Sequence, residues 1–121
     1  MENCAFCDRS QFEERIIAEI ENFYFVASFG QITEGGYTLL IPKEHILCMA
    51  ELSLARTKSA VAAAIKIRDA LSREFRFNPF NKYPVTAFEH CLLGQSIQHS
   101  HMNFIPAVLD ITPSILIDFN G

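Results

Sequence analysis

A single long stretch of helical periodicity, residues 53–75, does most to restrict the folds open to this chain. Its apolar residues recur at spacings of three and four, with lysine and arginine between them, as in an amphipathic helix. They are Ala60, Ala64, Ile67, Leu71 and Phe75. Asn78-Pro79 is expected to end the helix, because proline cannot continue it. The longest uninterrupted apolar run, residues 60–65, is far shorter than the roughly 20 residues needed to span a membrane.

Segments rich in strand-forming residues flank this helix on both sides. They are residues 14–20, 22–28 and 37–41 before the helix, and 85–89 and 98–105 after it. A short helix is expected near residues 44–52. This order predicts an α+β fold, in which an antiparallel sheet of about five strands packs against one long helix. The length favours a single domain over residues 1–121.

Composition and charge exclude several classes of protein. Half of the residues are hydrophobic and 20% are charged, which excludes a disordered tail. The net charge is −4, whereas a nucleic-acid-binding domain is normally basic, so a nucleic acid polymer is not expected as a partner. The N-terminus lacks the basic and apolar regions of a secretory signal. These features predict a cytoplasmic protein with no membrane association.

The four cysteines fall into one spaced pair and two isolated residues. Thiols of a cytoplasmic chain are expected to stay reduced, so their spacing bears on metal binding rather than on disulfides. Cys4 and Cys7 form a Cys-x-x-Cys pair. Cys48 and Cys91 stand alone and are expected to behave as small buried hydrophobic residues without chemistry.

The segment from Gly94 to Pro106 carries the densest set of reactive side chains. If residues 98–105 form a strand, His99, His101 and Asn103 point to one face, because successive side chains alternate. Just upstream, Gln95 and Ser96 follow a glycine and offer an amide and a hydroxyl that can bind an anion.

This combination of groups suits a phosphate ester. A neutral imidazole can attack phosphorus, and the resulting phosphoramidate is readily broken by water. The remaining donors would hold the non-bridging oxygens as charge develops. From the residues alone, a His-x-His strand could equally be a metal clamp or a solvated face.

Four motifs of the chain resemble those of the histidine-triad (HIT) superfamily of nucleotide hydrolases and transferases. The family signature is Gly-Gln-Ser followed two residues later by His-x-His-x-His, and residues 94–103 are similar to it. Residues 36–45 resemble the family's Gly-His-x-Leu-x-Ile-Pro-Lys-x-His. Residues 4–7 resemble its Cys-x-Phe-Cys, and residues 88–90 resemble a segment that precedes the triad in several bacterial members.

The resemblance implies a role for each residue of the signature. His101 would be the nucleophile that takes up the nucleoside phosphate, and Gln95 and Ser96 would bind the reacting phosphate. His99 would help to orient His101 through its backbone carbonyl or its side chain. Asn103 would occupy the place of the third histidine. The resemblance also implies a nucleotide as substrate and a homodimer formed through the long helix and a sheet edge.

Four positions depart from the family pattern, among them Cys91 in place of a usual glycine. Asn103 can donate a hydrogen bond but cannot act as a general acid, and the related uridylyltransferase branch, which transfers nucleotides, has glutamine there. Phe29 stands where many members have an aspartate that binds the ribose, and Tyr37 replaces the usual histidine. The alternatives to an enzyme are therefore a nucleotide-binding module with little turnover, or a zinc-stabilised interaction domain.

A structural zinc site is also expected. Two thiolates and two imidazoles give the closed tetrahedral shell of such a site, and zinc-containing HIT proteins resemble this arrangement. The ligands would be Cys4, Cys7, His45 and His99. The alternative is a pair of reduced surface thiols and two unrelated histidines.

Overall fold

A computed structural model describes residues 4–28, 36–74, 85–91 and 97–106 of the chain. Five strands form one sheet: β1 (Ile16–Ile20), β2 (Phe23–Ala27), β3 (Thr38–Pro42), β4 (Thr86–Phe88) and β5 (Met102–Ile105). Their order is β1-β2-β3-β5-β4, and every neighbouring pair is antiparallel. One long helix, α1 (Leu54–Glu74), packs against the sheet. The predicted α+β architecture with five strands and one main helix is confirmed.

The β1–β2 connection is a two-residue hairpin turn. Glu21 and Asn22 both have positive φ, 51° and 67°, as a type I′ turn requires. Asparagine tolerates this left-handed region better than most residues, because its short side chain can bond locally. The tight turn sets β1 directly beside β2.

One core lies between the sheet and α1. The helix contributes Ala63, Ile67 and Leu71, which repeat at i, i+4 and i+8, so one stripe of the helix faces the sheet. The strands contribute Phe23, Phe25, Leu40 and Phe104. This packing confirms the predicted apolar face of the helix; Phe75 and Asn78-Pro79 lie outside the described residues.

A second core covers the opposite face of the sheet. Phe6 and Phe12, from the segment before β1, pack on Val26, Leu39 and Ile41. Strand β3 is buried along its whole length, because it lies in the middle of the sheet and is covered on both faces. The N-terminal segment therefore covers the face of the sheet that α1 leaves open.

Three elements differ from the sequence-based expectation by more than one residue at an end. β1 begins at Ile16, because Glu13–Arg15 form a 3₁₀ turn. The expected short helix is a single 3₁₀ turn at Met49–Glu51. β5 begins at Met102 rather than at residue 98, because residues 97–99 bend.

Cys48 and Cys91 form a disulfide, with a Cα–Cα distance of 5.0 Å. The expectation that both are isolated reduced residues without chemistry is therefore wrong. Their pairing joins the segment after β3 to the turn after β4, two places that are 43 residues apart in sequence. The order of the strands brings these two segments together, so the local sequence around either cysteine does not reveal the pairing.

None of the helices in the described part of the chain combines the length and apolar character that crossing a bilayer requires.

Candidate functional site

Four predicted metal ligands meet at one end of the sheet. Cys4, Cys7, His45 and His99 place one donor atom each within 4.8 Å of one another. His99 Nδ1 lies 3.4 Å from Cys4 Sγ and 3.5 Å from Cys7 Sγ. It also lies 3.2 Å from His45 Nδ1, which is 3.1 Å from Cys7 Sγ. Residues far apart in sequence thus bring their donor atoms close enough together to bind one metal ion.

The tautomer of His99 fits a ligand. Its Nε2 lies 2.8 Å from the carbonyl oxygen of Pro42, and a carbonyl can only accept, so Nε2 carries the hydrogen. Nδ1 then presents its lone pair to the cluster. Burial lowers the pKa of His99, which keeps the ring in the neutral form that metals bind. A backbone acceptor of this kind is the usual second partner of a metal-bound histidine.

The distances match a tetrahedral ion. Bonds of about 2.3 Å to sulfur and about 2.0 Å to nitrogen would separate sulfur and nitrogen donors by about 3.5 Å and two nitrogens by about 3.3 Å. The observed separations, 3.1 to 3.5 Å, agree with those values. The four residues could therefore hold a zinc ion without a large rearrangement.

The N-terminal turn is shaped to deliver both cysteines. The amide of Cys7 donates to the carbonyl of Cys4 at 3.1 Å, so the Cys-x-x-Cys segment closes into a turn. Phe6 between them is buried, and its ring makes edge-to-face contacts with the rings of His99 and His101 at centroid distances of 6.0 and 5.1 Å. One apolar side chain thus orders both the cysteine turn and the histidine segment.

A cavity of about 220 Å³ opens beside this cluster, between the N-terminal segment and the sheet. Its described lining combines apolar and polar side chains. They are Phe6, Arg15, Ser28, Tyr37, Leu39, Ile97, His101 and Asn103. Arg15, which donates to the Ala27 carbonyl at 3.1 Å, is the charged group in this part of the lining.

His101 is oriented by the backbone of His99. Its Nδ1 lies 2.8 Å from the His99 carbonyl oxygen, so Nδ1 carries the hydrogen and Nε2 of the neutral ring keeps a lone pair. His101 is partly exposed and lines the cavity. The ring can therefore meet a ligand with a nucleophilic nitrogen.

Asn103 lies on β5, opposite Leu39 of β3 and Phe88 of β4. Its Oδ1 accepts a hydrogen bond from the Tyr37 hydroxyl at 2.8 Å. Its Nδ2 donates to the Phe88 carbonyl at 3.1 Å. Asn103 is 2% exposed, and both ends of its amide are hydrogen-bonded, one to Tyr37 just before β3 and the other to Phe88 of β4.

A carboxylate braces the segment between the two histidines. Glu89 accepts from the hydroxyl of buried Ser100 and from the amide of Met49, the latter at 3.1 and 3.2 Å. The Ser100 amide donates to the Ile46 carbonyl at 2.7 Å. This brace fixes the backbone from which His99 and His101 project to different sites.

The expectation that His99, His101 and Asn103 share one strand face is correct only for the last two. His101 and Asn103 line the cavity, whereas the bend at residues 97–99 turns the His99 ring into the Cys4 cluster. Gln95, Ser96 and Phe29 lie outside the described residues. The sequence did not indicate that Arg15 and Ser28 line the cavity or that Glu89 braces the histidine segment, because these contacts join residues distant in sequence. Tyr37 was noted only as a replacement for the histidine usual in the family.

Fold and site together define a class of protein: a small α+β domain in which two histidines just before β5 pack against an N-terminal cysteine turn. No family model matches the chain. It is 33% identical over 110 residues to "Protein hit" of Bacillus subtilis (strain 168), covering 87% of this chain and 71% of that protein.

Solved structures agree with this relationship. A member of the HIT family from Bacillus subtilis superimposes with a TM-score of 0.72 at 31% identity, covering 88% of this chain and 74% of that one. A HIT family hydrolase from Clostridium thermocellum shares the fold, with a TM-score of 0.61 at 23% identity over 93% of this chain and 96% of that one. The chain belongs to the HIT family.

Proposed function

We propose that this protein is a nucleoside-phosphate hydrolase or nucleotidyl transferase that forms a nucleotidyl intermediate on His101. The observation that carries the proposal is the hydrogen bond from His101 Nδ1 to the His99 carbonyl, because it leaves Nε2 as the nucleophile beside a cavity. Family membership supports a nucleotide as the ligand, and the relative from Clostridium thermocellum bears the name hydrolase.

The reaction needs two displacements at phosphorus. In the first, the Nε2 lone pair forms a bond to phosphorus, and the leaving group departs with the electrons of the broken bond. In the second, water or an acceptor hydroxyl attacks phosphorus and the electron pair returns to Nε2. Gln95 and Ser96, by resemblance to the family, would hold the non-bridging oxygens, and Arg15 adds positive charge to the cavity.

Zinc would have a structural role in this protein. Cys4, Cys7, His45 and His99 would fill all four positions of a tetrahedral ion, so no position remains to activate water. The ion would tie the N-terminal turn to the segment that carries His101. The chain's own residues would then supply the chemistry.

The experiment is to trap the intermediate. Protein is mixed with a nucleotide labelled at the α-phosphate and quenched, and the modified peptide is mapped. Label on His101 is expected, and His101→Ala should lose both label and turnover. Turnover that persists in His101→Ala would refute the proposal.

A binding module with little turnover is the second candidate. It is favoured by the Asn103 amide, which cannot donate a proton to a leaving group and has both ends hydrogen-bonded. Calorimetry that finds micromolar nucleotide affinity without any release of product would support this alternative. A zinc-stabilised interaction domain, in contrast, would bind no nucleotide at all.

A further inference from the structure

Two ties join the segment after β3 to the turn after β4. One is the Cys48–Cys91 disulfide, and the other is the Glu89 carboxylate, which accepts from the amide of Met49. Cys48 directly precedes Met49 in the chain, and Cys91 Sγ lies 3.4 Å from Glu89 Oε1. A change at the disulfide therefore acts directly on the surroundings of this carboxylate.

The carboxylate continues the connection to the histidine segment. Glu89 accepts from the hydroxyl of Ser100, which is fully buried, and the Ser100 amide donates to the Ile46 carbonyl at 2.7 Å. Ser100 stands between His99 and His101, and the His99 carbonyl orients the His101 ring. The backbone that sets the proposed nucleophile thus rests on the two segments that the disulfide joins.

Cys91 has a backbone conformation that its own side chain disfavours. Its φ is 56°, in the left-handed region, where a Cβ atom crowds the following carbonyl and glycine is free of the penalty. Such conformations persist where the surrounding structure imposes them. The bond to Cys48 is the covalent constraint at this position, so breaking that bond allows the backbone at Cys91 to relax. Both cysteines are also partly exposed, and exposed disulfides are the ones that thiols reduce most readily.

We propose that Cys48 and Cys91 form a reversible redox site that positions the histidine segment. The co-reactant is a dithiol. One thiolate of the dithiol forms a bond to the sulfur of one cysteine, and the other cysteine leaves with the electrons of the broken bond and takes up a proton. The second thiolate of the reductant then attacks the mixed disulfide, which frees the first cysteine as a thiol and leaves the reductant as its own disulfide. Two electrons pass to the cysteine pair, and a disulfide oxidant reverses the exchange.

The oxidised form is the one in which the histidine segment is braced. Reduction releases the turn at Cys91, which lies two residues beyond Glu89, so the contact between Glu89 and Ser100 loosens. The structural part of this inference needs no nucleotide. Its effect on catalysis rests on the proposed function of His101, and the two parts are tested separately.

The first test follows the structure of the site. Amide NMR spectra of the protein are recorded in dithiothreitol and again after reoxidation, and alkylation with mass spectrometry reports the state of both cysteines. The Ser100 and His101 resonances should shift on reduction and return on reoxidation, whereas those of β1, at the far edge of the sheet, should not. Unchanged Ser100 and His101 resonances with both cysteines alkylated would show a merely stabilising disulfide. A pair that resists reduction in the folded protein would equally overturn the proposal.

Three variants separate the bond from the backbone that it holds. Cys91→Gly adopts a positive φ without penalty, so its Ser100 and His101 resonances should stay near those of the oxidised wild type, with or without reductant. The matched Cys91→Ala should resemble the reduced wild type. Cys48→Ser should do so without any reductant, which excludes an action of the reagent on the Cys4 cluster. Identical spectra for Cys91→Gly and Cys91→Ala would contradict the role of the turn.

The second test follows the reaction. A displacement of about 1 Å at a reacting group can cost about 100-fold in rate, so reduction should slow the labelling of His101 by a nucleotide about 10- to 100-fold. Labelling of Cys91→Gly should not respond to dithiothreitol. Equal labelling rates in both redox states of the wild type would overturn the inference and leave the proposed function standing. If His101 takes up no label in either state, the proposed function fails, and the spectra alone decide whether the cysteine pair moves the histidine segment.

Discussion

At the scale of single residues, His99 links the two halves of the site through three different atoms. Nδ1 faces the cysteines, Nε2 donates to Pro42, and the backbone carbonyl orients His101. The sequence suggested the zinc ligand and the orientation of His101 but not the contact with Pro42, and it placed His99 on the same face as His101. The bend that separates them is stabilised by non-local contacts, such as that between Glu89 and Ser100, which local periodicity cannot reveal.

Metal content is the first prediction at this scale. Purified protein should contain about one zinc per chain, and Cys7→Ser should weaken zinc binding by more than the roughly 10- to 100-fold typical of outer-shell changes. A chelator should lower the Tm of the wild type but have little further effect on Cys7→Ser. Elemental analysis and calorimetry give both readouts.

The matched control for metal binding is Ser10→Ala. Ser10 is exposed on the same N-terminal segment but lies outside the cluster, so the zinc content of the variant should equal that of the wild type. A Cys7→Ser variant that retains one tightly bound zinc would contradict the assignment.

At the scale of elements, Arg56 connects the start of α1 to two loops. Its guanidinium binds both oxygens of Glu44, at 2.6 and 2.7 Å, and donates to the carbonyls of Glu21 and Asn22 in the β1–β2 turn. It also stacks over the Phe23 ring at 4.1 Å. The bidentate bond lowers the pKa of Glu44.

Replacing this arginine by lysine should destabilise the fold. Arg56→Lys keeps the positive charge, but an ammonium cannot reproduce the planar fork that binds Glu44 and the turn carbonyls together. The expected loss is about 1–3 kcal/mol in the free energy of unfolding, measured with urea. Lys58→Ala, an exposed change on the same helix, should stay within about 0.5 kcal/mol. Equal effects of the two substitutions would show that the Arg56 contacts contribute little to stability.

The Cys48–Cys91 disulfide belongs to the same scale, because it joins two connecting segments. Closing a loop of 43 residues restricts the unfolded chain by up to about 4 kcal/mol in the entropic description. Cys91→Ser should therefore lower stability by about 2–4 kcal/mol under oxidising conditions. In excess dithiothreitol the wild type and Cys91→Ser should unfold at nearly the same urea concentration. A difference that persists in the reductant would assign the effect to packing instead.

The helix was predicted from the sequence more accurately than the last strand. The start of α1 was predicted within one residue, because the apolar stripe of Ala60, Ala64, Ile67 and Leu71 marks the helix face that packs on the sheet. β5 was predicted too long, because the sequence pattern continues through residues 98–101, although the chain bends at residues 97–99 and the strand begins at Met102. The pairing of Tyr37 with Asn103 depends on the register of β3 and β5, which only the assembled sheet defines.

At the scale of the whole molecule, an apolar groove runs between α1 and β4. It is lined by Val61, Ala64, Ile65, Arg68, Val85, Ala87 and Phe104. Val61 and Ile65 are 54% and 44% exposed, although they belong to a helix whose opposite side is buried. β4 is the last strand of the described sheet. A helix face beside a sheet edge is the surface at which we expect the homodimer to form.

Sedimentation checks this expectation. The molar mass of the wild type from sedimentation should be twice the 13.7 kDa of one chain. Ile65→Glu should shift the measured mass toward that of the monomer, because a charge in an apolar interface is costly to desolvate. Thr57→Glu, at an exposed position near the start of α1, should remain dimeric. A single species near 13.7 kDa for the wild type would exclude the pairing.

The position of β5 between β3 and β4 has a consequence for biosynthesis. During translation, β3 (Thr38–Pro42) emerges from the ribosome long before β5 (Met102–Ile105), the strand that must fill the space beside it. Until β5 arrives, the nascent chain exposes an unpaired β3 edge, a known starting point for aggregation. His101 leaves the exit tunnel immediately before that strand, so the proposed nucleophile is set in place in the same folding event that closes the sheet.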